Sequence, residues 1–497
     1  MIEFFRVLQF IVENGIIILT IFIFGSYTAL AIFSAIAMLR YMRKNSFVDY
    51  NVLLSSPLAP SISLIAPAFN EGKTIVDNIR SLLSLHYNDY EVIIINDGST
   101  DDSLNKVIKA YDLVPVKLLY EEKLKTKPIK AIYKSRNKAF SKLVVIDKEN
   151  GGKADALNAG INLTQKEYIS AIDVDSILVE DALLIMAKPF LEESGHKIIA
   201  SGGVIRIANS CKIEDGHITE VRLPKNFLAR IQVLEYTRAF LMGRMAWSKL
   251  NGLLLISGAF GMFNRDVVIN CGGYNTDLVG EDMELIVRMR RYMAERKEKY
   301  RVIYIPDPLC WTEVPSKLKV LVRQRDRWTR GTMESLFKHF KLFFNPRYKS
   351  LGLLGHPYWF FLEWLAPIIE FIGIVYFIII AILGYPNWPF FFLLLATVYL
   401  FAITLSFWAV LFEELSFHRY NKRREVVKML FTSLLEPILF HPVVLFSTLR
   451  GNFKFFIGEK TWGKMERQGF EENDNNKVNE VEGEHPESIE SPETVSK

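Results

Sequence analysis

The chain is 497 residues long, half of them hydrophobic and 13% aromatic; this excludes disorder over most of its length, a collagen-like fibre and an ordinary cytosolic enzyme. Its three cysteines, Cys211, Cys271 and Cys310, are too few and too scattered for a disulfide framework or a Cys-rich zinc site, and they fit a reducing compartment. The net charge of +5 joins a segment, 471–497, with nine acidic and two basic residues (net −7) to a body of +12, a balance suited to an anionic ligand or an anionic membrane face.

The length predicts about three units. The first apolar run is Ile16–Leu39. About 20 residues cross a bilayer core at 1.5 Å per residue, so this run is long enough with some tilt. Arg40, Arg43 and Lys44 follow it and place residue 40 onward in the cytosol. The order, apolar run first and basic cluster second, opposes a cleaved signal peptide.

Residues 60–310 alternate strand and helix patterns. Strands are expected over Ser61–Ala66, Glu91–Ile95, Val116–Tyr120, Leu143–Ile146 and Tyr168–Ile172. Helices are expected over Glu71–Leu85, Ser103–Tyr111 and Lys153–Asn162. Glu121–Ser141 reads as a polar, Lys-rich insertion. The alternation predicts an α/β fold with a mostly parallel sheet flanked by helices, and ligands beyond the carboxyl ends of the strands.

From Lys317 to Lys349 ten cations accompany Leu321, Trp328, Leu336, Phe340 and Phe344. That pattern predicts amphipathic, interfacial helices on a membrane. Three apolar runs follow: Tyr358–Leu383, Phe390–Phe412 and Val426–Leu449. The basic stretch His418–Arg424 is a second cytosolic signal. Glu436-Pro437 and His441-Pro442 break the last run, which reads either as a span or as a Pro-broken re-entrant or interfacial pair. Trp359, Trp364, Tyr399 and Trp408, with Glu363, Glu370 and Glu413, are candidates to line a pore; the aromatics read equally well as interfacial belts. The segment from Glu471 reads as disordered. The expected division is an amino-terminal span (1–45), a cytosolic catalytic domain (46–312), interfacial helices (313–350), a membrane module (351–460) and an acidic tail (471–497). No PilZ-like domain is expected after the last run.

Several short stretches carry chemistry. Asp173-Val174-Asp175 ends a strand, and two carboxylates there suit a hard divalent cation with diphosphate oxygens, although the same tripeptide is common in solvated loops. Gly151-Gly152-Lys153-Ala154 opens a helix whose N-terminus favours an anion, and it lacks P-loop spacing. Gly280-Glu281-Asp282 precedes an amphipathic helix and is either an N-cap or the seat of a general base. Ser257-Gly258-Ala259-Phe260-Gly261 suits a close backbone approach or a plain turn. Gln324-Arg325-Asp326-Arg327-Trp328 puts guanidinium and indole groups side by side, able to bind a phosphate and stack on a sugar.

With Pro67-Ala68-Phe69-Asn70-Glu71 and Asn96-Asp97-Gly98-Ser99 these stretches form one ordered succession. The succession resembles the membrane-integrated processive glycosyltransferases of family 2, which include the cellulose, hyaluronan and poly-N-acetylglucosamine synthases. Asp147–Asn158 is most similar to the poly-N-acetylglucosamine branch. The chain departs from several relatives in having one amino-terminal span rather than two, and in the Lys-rich stretch before Leu143. The resemblance implies a GT-A-like fold and a UDP-sugar donor, with Phe69, Glu71 and Asp97 at the uridine and Lys153 at the diphosphate. It places Asp173 and Asp175 at UDP and a Mg2+ or Mn2+ ion, Asp175 more directly. Asp282 becomes the base, and Gln324, Arg327 and Trp328 bind the diphosphate and acceptor sugar; Gly258 and Glu281 join the substrate-binding set.

The function so implied is inverting, processive transfer of a sugar, N-acetylglucosamine foremost, onto a growing extracellular polysaccharide. The enzyme would be multi-pass in the plasma or inner membrane, with accessory export proteins as candidate partners and no nucleic acid. One alternative is transfer of a single sugar to a lipid-linked acceptor; another is a non-enzymatic membrane export component.

Overall fold

The computed structural model describes residues 2–45, 54, 56, 58–192, 195–214, 216–417 and 423–459. The 471–497 segment and most of the His418–Arg424 cluster lie outside the described residues. The strands are β1 (Ile62–Ala68), β2 (Tyr90–Asp97), β3 (Leu113–Val116), β4 (Ile129–Ser135), β5 (Leu143–Lys148), β6 (Tyr168–Ile172), β7 (Ile177–Leu178), β8 (Lys197–Ile207), β9 (Lys212–Glu214), β10 (His217–Glu220), β11 (Phe260–Asn264) and β12 (Tyr300–Thr312). Ten of them form one sheet in the order β3-β4-β5-β2-β1-β6-β11-β8-β12-β7.

The sheet is mixed. Its centre, β5-β2-β1-β6, is parallel, and so is β8 with β12, while both flanks contain antiparallel pairs. Val92–Ile95 in β2 are buried without alternation because helices cover both faces. The parallel centre sends the ends of β1, β2, β5 and β6 to one edge, where the sequence motifs lie.

Two expectations change at the β3 edge. The strand expected over Val116–Tyr120 is instead Leu113–Val116, with Pro115 inside it. Proline is tolerated there because β3 is an edge strand. The presumed insertion Glu121–Ser141 contains β4, paired antiparallel with β3 and β5. A register irregularity between Ile129 and Ala131 leaves Lys130 exposed and breaks the strand's alternation, so it reads as polar.

The helices around the sheet are α1 (Ile2–Asn45), α2 (Ile75–Leu83), α3 (Ser103–Ala110), α4 (Lys153–Leu163), α5 (Ala182–Leu191), α6 (Phe227–Thr237), α7 (Met245–Lys249), α8 (Arg265–Asn270), α9 (Glu281–Glu295) and α10 (Leu318–Lys338). A π-helical segment, Arg238–Arg244, joins α6 to α7. The chain continues in α11 (Leu351–Ile382), α12 (Trp388–Phe417), α13 (Arg423–Leu439) and α14 (His441–Phe456).

Three helices, Gln9–Asn45 within α1, α11 and α12, are long and apolar enough to cross a membrane, and they point to a membrane protein. Exposed Ile18, Phe22, Ile382 and Leu393 are the side chains a bilayer would cover. α13 and α14 meet at a 47° bend just before His441-Pro442. The carboxyl end of α1 packs on the sheet domain, with Met38 buried, Tyr41 bonded to Asp307 and Ser34 bonded to the Leu241 carbonyl.

α10 is amphipathic as expected, but two of its cations are not interfacial. Arg325 pairs with Glu235 and Arg330 with Asp326, all inside the protein. Their opposite charges come from α6 and from α10 itself, so burial is compensated.

Candidate active site

The loops after β1 and β2 are tied by one residue in the left-handed region, Asn70 (φ 58). Its side-chain oxygen accepts from Thr100 N at 2.8 Å, and its own N–H donates to Ser99 Oγ at 3.0 Å. Asn tolerates this conformation because its short amide bonds locally. Phe69 is half exposed next to it, and Phe69 and Glu71 both line the central cavity.

Asp97 at the end of β2 is buried. Its Oδ1 accepts from Lys148 Nζ at 2.7 Å and Gly151 N at 3.0 Å, and its Oδ2 accepts from Gly152 N at 2.8 Å. Lys148, itself fully buried, also pairs with Asp155 at 2.6 Å. This buried triad fixes the Gly151-Gly152 turn that aims α4 and Lys153 at the site, so Asp97 builds the loop as well as lining the cavity.

Lys153 Nζ lies 2.5 Å from Asp173 Oδ1 and donates to the Gly258 carbonyl at 3.2 Å. Burial works to lower its pKa, but Asp173, Glu281 and Asp282 outweigh it and hold the ammonium above its ordinary value. Asp175, two residues on, is buried and faces the same cavity. Among the described residues no three His, Cys, Asp or Glu side chains converge as a ready metal cage. The pair still fits a Mg2+-like ion, which takes one or two carboxylates and fills its shell with phosphate oxygens and water.

Asp282 opens α9. Its Oδ2 accepts from Gly258 N at 3.0 Å and its Oδ1 from Met283 N at 2.8 Å. A Cβ at Gly258 would lie 3.0 Å from Lys153 Nζ and 3.4 Å from Asp282 Oδ2, so a side chain there crowds both groups. Glu281 is only 5% exposed. Burial, aided by Asp282 and opposed by Lys153, pushes its pKa up to about 7.

Gln324 and Arg327 line the same cavity, and Trp328 stays 42% exposed at it. The Arg325 guanidinium stacks 4.0 Å from the Trp328 ring and holds the indole in place. α10 reaches α9 through glycine: a Cβ on Gly280 would sit 2.6 Å from the Gly331 Cα. It reaches α14 through Asp326, which receives Arg330 at 3.0 Å, Lys454 at 3.2 Å and Arg450 at 3.5 Å.

All the sequence-derived site residues, Phe69, Glu71, Asp97, Lys153, Asp173, Asp175, Gly258, Glu281, Asp282, Gln324, Arg327 and Trp328, therefore border one cavity of about 2680 Å³. The cavity continues between α1, α11, α12 and α13, past Tyr27, Trp359, Glu363, Trp364, Glu370, Tyr399 and His441, to Glu13 and Asn387. Glu13 and Met38 are separated along α1 by about 37 Å of helix, so the cavity reaches the end of α1 opposite the sheet. Two proposed pore residues are not on it. Trp408 faces outward, and Glu413 is buried in a pair with Arg206 at 2.5 Å and a bond from Thr237 at 2.8 Å. Residues not singled out from sequence, Tyr236, Phe240 and Arg244, do line it; an arginine inside the apolar stretch Ala239–Met245 was their available signal.

Residues 63–253 match Glycosyl transferase family 2, and residues 168–411 match Glycosyl transferase family group 2. The chain carries a family 2 glycosyltransferase domain. A poly-beta-1,6-N-acetyl-D-glucosamine synthase of Staphylococcus epidermidis is 30% identical to this glycosyltransferase chain over 293 residues, 59% of the chain and 60% of that protein. A synthase of the same description from Staphylococcus aureus (strain COL) is 30% identical over 280 residues, 56% of each. The chain thus spans 56–60% of the length of these curated relatives. A mannosyltransferase from Pyrobaculum calidifontis, solved with GDP-Man and Mn2+, shares the glycosyltransferase fold with a TM-score of 0.50 at 17% identity, covering 87% of this chain and 99% of its own.

Proposed function

We propose that the protein is a multi-pass enzyme of the cell membrane that transfers N-acetylglucosamine from UDP-N-acetylglucosamine to a growing polysaccharide, with inversion, and passes the product outward. The observation that carries this reading is the single cavity joining Lys153, Asp173 and Asp282 to the polar lining between the membrane helices. The description of the staphylococcal relatives supports the choice of sugar. The basic residues after Leu39 and the packing of the carboxyl end of α1 on the sheet domain support a cytosolic catalytic side.

Asp282 is the base. Two backbone N–H groups hold its carboxylate, so it is oriented before the acceptor arrives. It takes the acceptor hydroxyl proton as that oxygen bonds to the anomeric carbon and the bond to UDP breaks. One displacement needs no second nucleophilic carboxylate. Lys153 and Arg327 meet the negative charge of the leaving diphosphate. Asp175 and Asp173 would hold a Mg2+ or Mn2+ ion, which would add charge neutralisation at the diphosphate. Phe69, Glu71 and Asp97 border the nucleoside end, and Gln324 and Trp328 the acceptor end. Accessory membrane or export proteins are candidate partners.

The test is a screen of UDP-sugars with the purified enzyme and Mg2+ or Mn2+, with linkage and length analysis of the product. UDP-N-acetylglucosamine should give a β-linked polymer, and Asp282→Asn should lower UDP release roughly 10²–10⁴-fold. Wild-type release by Asp282→Asn would remove the base assignment, and a one-sugar product on a lipid would replace the polymerase reading.

A further inference from the structure

Among the described residues, five buried or half-buried arginines each reach an oxygen partner, although Arg206, Arg290 and Arg325 also keep unpartnered N–H groups. Arg206 pairs with Glu413, Arg238 with Glu436, Arg325 with Glu235, Arg330 with Asp326, and Arg290 bonds the Leu253 and Asn251 carbonyls. Arg244 differs. It ends the π-helical segment Arg238–Arg244 and lines the cavity. Its Nη1 is buried with no hydrogen-bond partner among the described residues. The guanidinium lies flat over an aromatic face, 4.0 Å from the Phe240 ring centroid. Such a contact steadies the cation but satisfies none of its N–H donors.

The surroundings say which ligand it faces. Phe240 meets Tyr236 edge-on at 5.3 Å, and Tyr236 lies 6.5 Å from Trp328. Trp328, Tyr236 and Phe240 thus form a row of rings along the cavity wall, with Arg244 at its end. Asp282 is the acidic group that acts on the Arg244 charge, since the Tyr236 and Tyr304 phenols stay neutral. Lys153, at the start of α4, pairs with Asp173, just after β6. A π-helical turn inserts one extra residue and turns a side chain out of the ordinary helical register, a common device at functional sites.

We propose that Arg244 is an acceptor-binding residue, donating its free Nη1 N–H to a hydroxyl or amide carbonyl oxygen of the terminal acceptor sugar while Trp328, the exposed ring of the row, carries the sugar face. The inference rests on the functional reading above and names a residue for its acceptor site. Arg244 fixes the sugar so that one hydroxyl faces Asp282, an orientation effect that enters both acceptor affinity and turnover. The diphosphate presents the same kind of oxygen, so the experiment separates the two.

The experiment compares purified full-length wild type with Arg244→Met and Arg244→Lys. The probes are UDP-N-acetylglucosamine, a β-linked N-acetylglucosamine trisaccharide as acceptor, and UDP alone. The expected result for Arg244→Met is an acceptor KM raised tenfold or more, with UDP affinity within twofold of wild type and donor hydrolysis by water retained. Arg244→Lys, which keeps the charge but loses the fork, should fall between. An unchanged acceptor KM in folded Arg244→Met overturns the inference. So does a tenfold loss of UDP affinity with acceptor KM intact, which would assign Arg244 to the diphosphate. If Arg244→Met does not elute as a folded species, Arg244→Lys decides by the same criterion. Wild type inactive with every UDP-sugar overturns the functional reading itself, whereas active wild type with unaffected variants overturns only the role of Arg244.

Discussion

Glu281 and Asp282 are neighbours with different surroundings. Asp282 accepts two backbone N–H bonds, while Glu281 is buried against Lys153, with its pKa raised to about 7. The sign of the linkage follows. Below pH about 4.5 the carboxyl is protonated whether the chain is folded or unfolded. Between about 4.5 and 7 only the folded form keeps the proton, and the stability gained by holding it is lost as pH rises through about 7. Glu281→Gln should therefore leave stability nearly unchanged at pH 4 and raise it at pH 8, by about 3 kcal/mol. Thermal unfolding of wild type and variant at the two pH values checks this; an equal difference at both would mean that Glu281 does not titrate in that window. Residue type and spacing alone do not separate Glu281 from Asp282; in the sequence only the family resemblance assigns the base to Asp282. Their difference comes from Lys153 and Gly258, which are remote in sequence.

At the scale of elements, α9 and α10 touch backbone to backbone. A Cβ at Gly331 would meet the Gly280 Cα at 2.7 Å and the Gly280 N at 3.0 Å, and neither is a flexible side chain that can yield. Gly331→Ala should push apart the helix carrying Asp282 and the helix carrying Gln324, Arg327 and Trp328. A displacement of about 1 Å costs roughly 10²-fold in transfer. UDP affinity should fall much less than transfer, because Lys153, Asp173 and Asp175 lie on other elements and only Arg327 is displaced with the helix; steady-state transfer and UDP titration of the same preparation check both. The seven motif stretches were legible because each is local: a strand end, a glycine turn or a helix start written in consecutive residues. β4 was not legible, because Lys130 and Lys134 flank its one buried side chain, Ile132, and a register irregularity at Ile129–Ala131 breaks the alternation. Asp326 gave no signal beyond its motif, because Arg450 and Lys454 arrive from α14. Glu413 was read as a pore group because an acid in an apolar run signals only that it needs a partner. The partner, Arg206, is at the end of β8, so the pair locks the membrane helix α12 to the sheet domain.

For the whole molecule, the carboxylates and aromatics of the membrane helices divide by the cavity. Glu13, Glu363, Glu370 and Glu436 border it, while large apolar groups such as Ile18, Ile382, Leu393 and Phe446 face outward. Polar groups there hold one another: His441 lies 2.8 Å from Glu370, Arg238 2.7 Å from Glu436 Oε2, and Asn387 3.1 Å from Glu13. Placing these groups on an inner wall avoids the cost of exposing them to lipid. The +12 body includes Lys153 and Arg327 at the cavity, the buried pairs of α10 and the basic residues Arg40, Arg43 and Lys44 after the first apolar run. Coupling of transfer to export is the central claim, and reconstituted vesicles with the catalytic domain outward test it directly. Given UDP-N-acetylglucosamine and Mg2+ outside, labelled polymer should accumulate in the lumen, protected from an added glycan-degrading enzyme until detergent is added. Polymer that remains outside and is fully degraded without detergent would contradict it.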